Sequence, residues 1–439
     1  MQQASQDQPA GLSESTAPPP TPSNPPQRQS WSSTGYALPS TTEKPPAAPI
    51  EPTPSKRTPT TQQPLSKHAT HLFTLSYLVF FSIFGTLARL GLQALTFYPG
   101  APVVTGVLWA NVGGSLLMGF FLEDKNLFRE EWGQPPPHNP REDSNAARER
   151  ANNHKSVKKT IPLYIGLTTG FCGSFTSFSS FIRDVFLALT NDLPDPSVSS
   201  ITSRNGGYSF MALLAILLTT VALSLSALIC GAHLALAFDR FTPSFPFRLT
   251  RRVIDPLFVL LGWGCWLGAV FLAIWPPDRS ASNNNSSNSA PETWRGRAVF
   301  AIVFAPLGCL LRYYISLYLN RRVPVFPLGT FTVNIFGTVV LAMCFDLQRV
   351  DGVGTAIAAD ARSASYAILT SCQVLQGVMD GFCGCATTVS TWVAELNGLS
   401  RRRQAYVYGV ASVAVALGFF VVIAGSLGWT RGFVDPVCT

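Results

Sequence analysis

Charge is scarce in this chain. Asp, Glu, Lys and Arg make up 13% of its 439 residues and hydrophobic residues 47%, and the apolar residues fall in blocks near the ~20 positions needed to cross a bilayer core. That pattern excludes a soluble enzyme and identifies an integral membrane protein. The formal net charge of +8 does not point to nucleic acid, because Arg and Lys cluster in short loops beside apolar runs, where they report orientation. Other absences narrow the field. The five histidines (His68, His71, His138, His154, His233) are not grouped with the nine cysteines, so metal-ligand spacing is missing, and Cys383 and Cys385 read as small packing residues. No Gly-x-x-x-x-Gly-Lys-Ser/Thr loop occurs, which agrees with transport that does not use ATP, and no organic cofactor is expected. No apolar segment follows Met1 closely, so a cleavable signal peptide is not expected, and the first span should act as its own targeting signal. Residues 1–67 have almost no large apolar side chains and are rich in Pro, Ser, Thr and Gln. Such a segment buries too little surface to offset its ordering entropy and reads as a disordered cytoplasmic tail.

What remains is organised by repetition. Apolar runs between charged or Pro/Gly-rich breaks predict nine spans, at 72–95, 103–122, 160–189, 208–238, 254–275, 298–319, 326–345, 366–394 and 404–429. Gly170-Phe171-Cys172-Gly173-Ser174-Phe175-Thr176 in the third span returns as Gly381-Phe382-Cys383-Gly384-Cys385-Ala386-Thr387 in the eighth. Gly85-x-x-x-Arg89 matches Gly308-x-x-x-Arg312, and Asn111-x-x-Gly114 matches Asn334-x-x-Gly337. The fold class expected is therefore an all-α integral membrane protein of nine transmembrane helices. It comprises two inverted four-helix repeats (72–238 and 298–429) with broken third helices, joined by a linker helix (254–275). A four-span unit returns the chain to its starting side, so the single intervening span inverts the second unit.

Loop charges give the orientation. Arg251-Arg252, Arg321-Arg322 and Arg401-Arg402-Arg403 fall on one side with loop 123–159, which the positive-inside rule makes cytoplasmic. The opposite loop, 276–297, carries Asn284-Asn285-Ser286 and Asn285-Ser286-Ser287 sequons, which are glycosylated only outside the cytosol. The N-terminus is expected in the cytoplasm and the C-terminus outside, in a multi-pass protein of the plasma membrane.

A membrane asparagine needs a partner. Asn111 and Asn334 present amide donors, or else tie two helices together. Gly-Phe-Cys-Gly unwinds a helix, which a bilayer tolerates only where the freed carbonyls find partners. Asp380, where the first half has Thr169, is a functional candidate by virtue of its charge, and a wet vestibule is the plain alternative. Arg89 and Arg312 lie near span ends, where they attract anions to a vestibule or snorkel to headgroups. Asp184 and Glu395 follow the breaks at equivalent positions and read as interfacial or salt-bridging. Ser224, Ser226 and Ser412 are candidate donors in the fourth and ninth spans.

Taken in order and twice over, the three motifs resemble the fluoride channel family (CrcB/Fluc), in its eukaryotic, fungal-type fused form of fluoride export protein. The resemblance covers residues 72–429. It implies a passive fluoride channel that lets F⁻ leave the cytosol down its electrochemical gradient and so gives fluoride resistance. It also implies an intramolecular pseudo-dimer working as a monomer in the lipid bilayer. Pore residues carried over by alignment are Asn111, Asn334, Ser179, Ser390 and the aromatic positions Phe178 and Phe181, whose second-half equivalents are Val389 and Trp392. One pore would then pair Phe178 with Trp392 and the other Val389 with Phe181. Gly173, Thr176, Gly384 and Thr387 match positions whose backbone carbonyls hold a central structural Na⁺. Rival readings remain: another small-anion channel, a noncatalytic scaffold, or a small-solute transporter with inverted repeats. For a proton-coupled transporter a glutamate in each first span is expected, and neither has one.

Overall fold

The computed structural model describes residues 66–103, 106–129, 157–197, 204–275, 293–323, 325–350, 353 and 363–438. Residues 1–65 of the expected tail, His138, His154 and both sequons lie outside these residues, and Lys67 already begins the first helix. The described residues form helices and no strand.

Ten helices carry the architecture: α1 (Lys67–Thr96), α2 (Leu108–Glu123), α3 (Phe178–Thr190), α4 (Gly206–Ala237), α5 (Asp255–Ile274), α6 (Thr293–Leu319), α7 (Leu328–Gln348), α8 (Ser363–Gly377), α9 (Val389–Gly398) and α10 (Arg402–Thr430). Six stretches are long and apolar enough to cross a membrane: Lys67–Thr96, Gly206–Ala237, Phe247–Ile274, Arg297–Leu319, Leu328–Gln348 and Arg402–Thr430. The other three expected spans depart from continuous helix for physical reasons. With 16 residues, α2 is about 24 Å long, short of a bilayer core of about 30 Å. The third and eighth spans break at their glycine-rich segments.

Small residues set the packing distances, as they do where lipid removes the hydrophobic driving force between helices. A methyl group on Gly119 would collide with the Leu228 backbone, and one on Gly231 with the Leu116 backbone, so α2 and α4 meet backbone to backbone. Helix α5 docks on α1 and α6 by polar contacts at several depths. Tyr77 donates to Asp255 Oδ1 at 2.7 Å, Trp263 Nε1 to Ser76 Oγ at 3.0 Å and Trp266 Nε1 to Val303 O at 2.9 Å. Asp255 is also bridged by Arg251 at 3.0 Å. The helices after the two breaks reach across the halves: α3 packs against α7 and α10 as well as α4, and α9 against α2 and α4 as well as α10.

The last residues of each half fold back. After α4, Phe245 N–H donates to Leu127 O at 2.9 Å and Asn126 Nδ2 to Asp239 Oδ1 at 2.9 Å. After α10, Phe433 packs on Phe345 and Phe186, and Cys438 forms a disulfide with Cys372, their Cα atoms 5.8 Å apart.

Candidate functional site: two crossed helix breaks

Each break is built the same way. Widened turns, Gly166–Cys172 and Val378–Cys383, lead into a single short turn, and then Thr176 (φ −96°, ψ 150°) and Thr387 (φ −100°, ψ 150°) adopt extended backbone. Helix resumes because the next residue caps it: Ser177 Oγ accepts from Ser180 N–H at 3.2 Å, and Thr388 Oγ1 from Thr391 N–H at 3.4 Å. The freed backbone is satisfied by the asparagines. Asn111 Oδ1 accepts from Ser177 N–H and Asn334 Oδ1 from Thr388 N–H, both at 2.9 Å. Their Nδ2 groups reach the same residues' carbonyls only at 3.5 and 3.4 Å. The helix-tying role is thus plain, and the amide donors are held weakly. Gly114 and Gly337 complete the motif, because a methyl on either would collide with the Thr176 or Thr387 side chain.

The breaks cross. Thr176 Oγ1 lies 3.1 Å from Ser390 Oγ and accepts from Ser390 N–H at 3.2 Å, while Thr387 Oγ1 lies 3.0 Å from Ser179 Oγ and accepts from Ser179 N–H at 3.0 Å. Ser390 Oγ donates to Cys172 O at 3.2 Å and Ser179 Oγ to Cys383 O at 3.4 Å. Every one of these bonds joins one half to the other, and the second set repeats the first under the internal two-fold relation.

Two arginines close the arrangement. Arg89 donates to Ser174 O at 2.8 Å, to Gly384 O at 2.9 Å and to Asp380 O. Arg312 donates to Cys385 O at 2.8 Å and to Thr169 O at 2.7 Å. Ser174 corresponds to Cys385 and Asp380 to Thr169, so each guanidinium spans both breaks. Arg89 is 1% exposed and Arg312 2%, so neither side chain takes the alternative of snorkelling to the headgroups. Arg89 is a buried crosslink. Arg312 is one too, and it also lines a cavity of about 590 Å³ with Lys159, Thr168, Thr169, Asn320, Thr330, Thr388, Thr391 and Glu395.

The four residues assigned to sodium by resemblance lie within this crossing. Thr176 and Thr387 leave helical conformation there, which frees carbonyl oxygens of the kind that suit a hard cation. The Gly384 carbonyl is shared with Arg89, and the Arg312 guanidinium lies against Gly173.

The halves diverge in their side chains. Phe178, Phe181, Val389 and Trp392 are all buried. Phe178 stands edge-to-face with Trp392 (centroids 5.3 Å, 68°) and with Phe181 (5.8 Å, 76°). Asp380 does not sit in a wet vestibule: it is buried, accepting from Arg297 Nε at 2.8 Å and Gln376 Nε2 at 2.7 Å. Glu395 is not salt-bridged among the described residues. It lines the cavity and accepts from Thr330 at 2.7 Å, Tyr408 at 2.7 Å and Asn320 at 3.4 Å. Asp184 does pair with its neighbour Arg183 at 3.1 Å. Of the serines, Ser226 faces outward, Ser412 Oγ bonds back to Tyr408 O at 2.7 Å, and Ser224 is buried. Thr330, Tyr408 and the Cys372–Cys438 pair were not foreseen. The disulfide had one signal, since both cysteines fall toward the expected outer side.

Family comparison decides what this doubled site belongs to. Residues 76–232 and 299–426 each match the family described as CrcB-like protein, Camphor Resistance (CrcB). The chain belongs to this family. It is a fused member with two copies of the domain. It is 55% identical to Fluoride export protein 1 of Neurospora crassa, over 86% of this chain and 70% of that protein. To Fluoride export protein 1 of Candida albicans it is 34% identical, over 80% of this chain and 79% of that one. A stretch of 139 residues, 31% of the chain, is 30% identical to 95% of the Fluoride-specific ion channel FluC of Chromobacterium violaceum. No solved structure matches the chain.

Proposed function

We propose that this protein is a passive fluoride channel that lets F⁻ leave the cytosol down its electrochemical gradient, conferring fluoride resistance. The crossed, doubled break carries the reading. It gathers compact hydroxyl and amide groups in a core sealed from lipid, and such groups can replace the water of a small, tightly hydrated anion. An inside-negative membrane contributes about 2.3 kcal/mol per 100 mV toward expelling each anion, so transport needs no enzymatic step.

The same reading extends to finer points. The chain crosses the plasma membrane nine times, with the N-terminus inside and the C-terminus outside, and α5 inverts the second half. The disulfide supports that orientation, because such bonds persist in oxidising compartments and Cys438 lies beyond the last span. The 590 Å³ cavity is then a cytoplasmic vestibule with Arg312 at its inner wall. Since both copies are present in one chain, a monomer suffices. Gly173, Thr176, Gly384 and Thr387 would hold the sodium ion, which when bound supplies a fixed positive charge between the halves. Of the two pathways, the one with Phe178 and Trp392 conducts, and the one with Val389 and Phe181 has drifted.

Purified protein in fluoride-loaded liposomes, with valinomycin and a fluoride electrode, tests this. Fluoride efflux is expected with chloride-loaded vesicles silent, and slower after sodium is replaced by N-methylglucamine. Equal efflux of both halides overturns fluoride selectivity; no efflux overturns the channel.

A further inference from the structure

One buried donor near the aromatic crossing is left without a partner. Trp392 is 2% exposed, and among the described residues its indole Nε1 has no hydrogen-bond acceptor. Buried polar groups in folded proteins are almost always satisfied, and an exception calls for a group that the protein itself does not provide. The indole N–H donates only; it has no lone pair to offer in return. Its missing partner is therefore an acceptor, and in an anion pathway the acceptor at hand is the anion.

Position supports the same conclusion. Trp392 lies four residues after Thr388 and one after Thr391, both of which line the cavity. Its ring is held edge-to-face against Phe178, so the indole cannot swing freely to find another acceptor. Helix α9 packs on α2 and α4, and each of these helices carries a buried hydroxyl that also lacks a partner, Ser115 Oγ and Ser224 Oγ. On α2, helical spacing puts Ser115 on one face with Asn111 and the cavity-lining Met118 and Leu122. The helix that carries the unpaired N–H thus packs against two helices that bear unpaired hydroxyls.

We propose that the Trp392 indole N–H is a direct fluoride donor, taking the place of the weakly positive ring edge that a phenylalanine offers at this position. A ring edge is a diffuse partner of the quadrupole kind. An N–H in a dry site is a localised one, and it favours the smallest and most strongly accepting halide. The inference rests on the fluoride reading above.

The test is Trp392→Phe, which keeps an aromatic edge and deletes the donor, compared with replacement of Trp392 by benzothienylalanine, which keeps the bicyclic shape. Both should slow fluoride efflux from liposomes by about tenfold, as expected for one lost bond to a charged partner. In addition, the Trp392 indole ¹⁵N–¹H resonance of the wild-type protein in nanodiscs should move on titration with sodium fluoride and stay fixed with sodium chloride. Wild-type efflux rates in monodisperse benzothienylalanine protein, or an indole resonance indifferent to fluoride, overturn the proposal. If the wild-type protein itself passes no fluoride, it is the channel reading that fails. A phenylalanine variant that does not fold leaves the resonance measurement to decide.

Discussion

The two breaks share the side chains that hold their backbone and differ in several of those that pack around it. Thr176 and Thr387, Ser179 and Ser390, Asn111 and Asn334, and Arg89 and Arg312 make paired bonds of nearly equal length. Yet Phe178 faces Val389 in the alignment, Phe181 faces Trp392, and Thr169 faces Asp380. The shared set consists of groups that satisfy backbone at a helix break inside a membrane, where a missing partner is costly. The unshared set consists of groups that pack, or that are proposed to face a path, where one working copy suffices. Duplication therefore preserves what holds the crossing together and releases what lines it.

The segments that close the two halves differ in the same spirit. The segment after α10 is tied by a disulfide, while the segment after α4 is tied by Asn126, Asp239 and a backbone bond to Leu127. Beside the latter, Asp124 accepts from Leu127 N–H at 3.0 Å; burial raises its carboxyl above the ordinary range, against that bond and the nearby Lys158. Two chemistries perform one task, and the covalent one is on the side proposed to be oxidising.

The shared set should be the least tolerant of change. Arg89→Ala orphans carbonyls of both halves in the core and is expected to cost about 3–5 kcal/mol, as when one partner of a buried charged contact is removed. Loss of the monodisperse peak in size exclusion measures it, and a well-folded, fully active Arg89→Ala protein breaks the comparison. The unshared set should split. Phe178→Ile is expected to lower fluoride efflux by at least about tenfold, the scale of a lost aromatic contact, and Phe181→Ile to lower it less. If Phe178→Ile conducts normally and Phe181→Ile does not, the working pathway is the other one. The smallest effects should come from the ends. Cys438→Ser is expected to cost about 2–4 kcal/mol in thermal unfolding and Asn126→Ala about 1 kcal/mol, with efflux rates retained in both.

Much of this was legible in the sequence because membrane burial makes polar residues conspicuous. Asn111, Asn334 and the repeated Gly-Phe-Cys-Gly stood out against apolar surroundings, and the exchange between halves gathers them at one place. The arginines were legible as a motif but not as crosslinks. Gly85 explains the difference: a methyl there would collide with Phe171 O, so α1 lies close enough to the break for Arg89 to reach inward. Such proximity is set by tertiary packing and leaves no mark on spacing along α1. Glu395 was misread for a related reason, since Thr330 and Tyr408, which hold it, come from α7 and α10. Nor did the spacing of 66 residues between Cys372 and Cys438 distinguish that pair from the seven free cysteines.

Arg89 is made early and most of its partners late. Its bonds to Asp380 and Gly384 span 291 and 295 residues of chain. At a synthesis rate of about 5–20 residues per second, the gap is roughly 15–60 s. For that interval the first half resides in the translocating membrane with a guanidinium and an opened helix not yet matched. Asp380 and Gly384 therefore match groups of both halves at once, and a chain interrupted before them leaves Arg89 with Ser174 alone of these three partners.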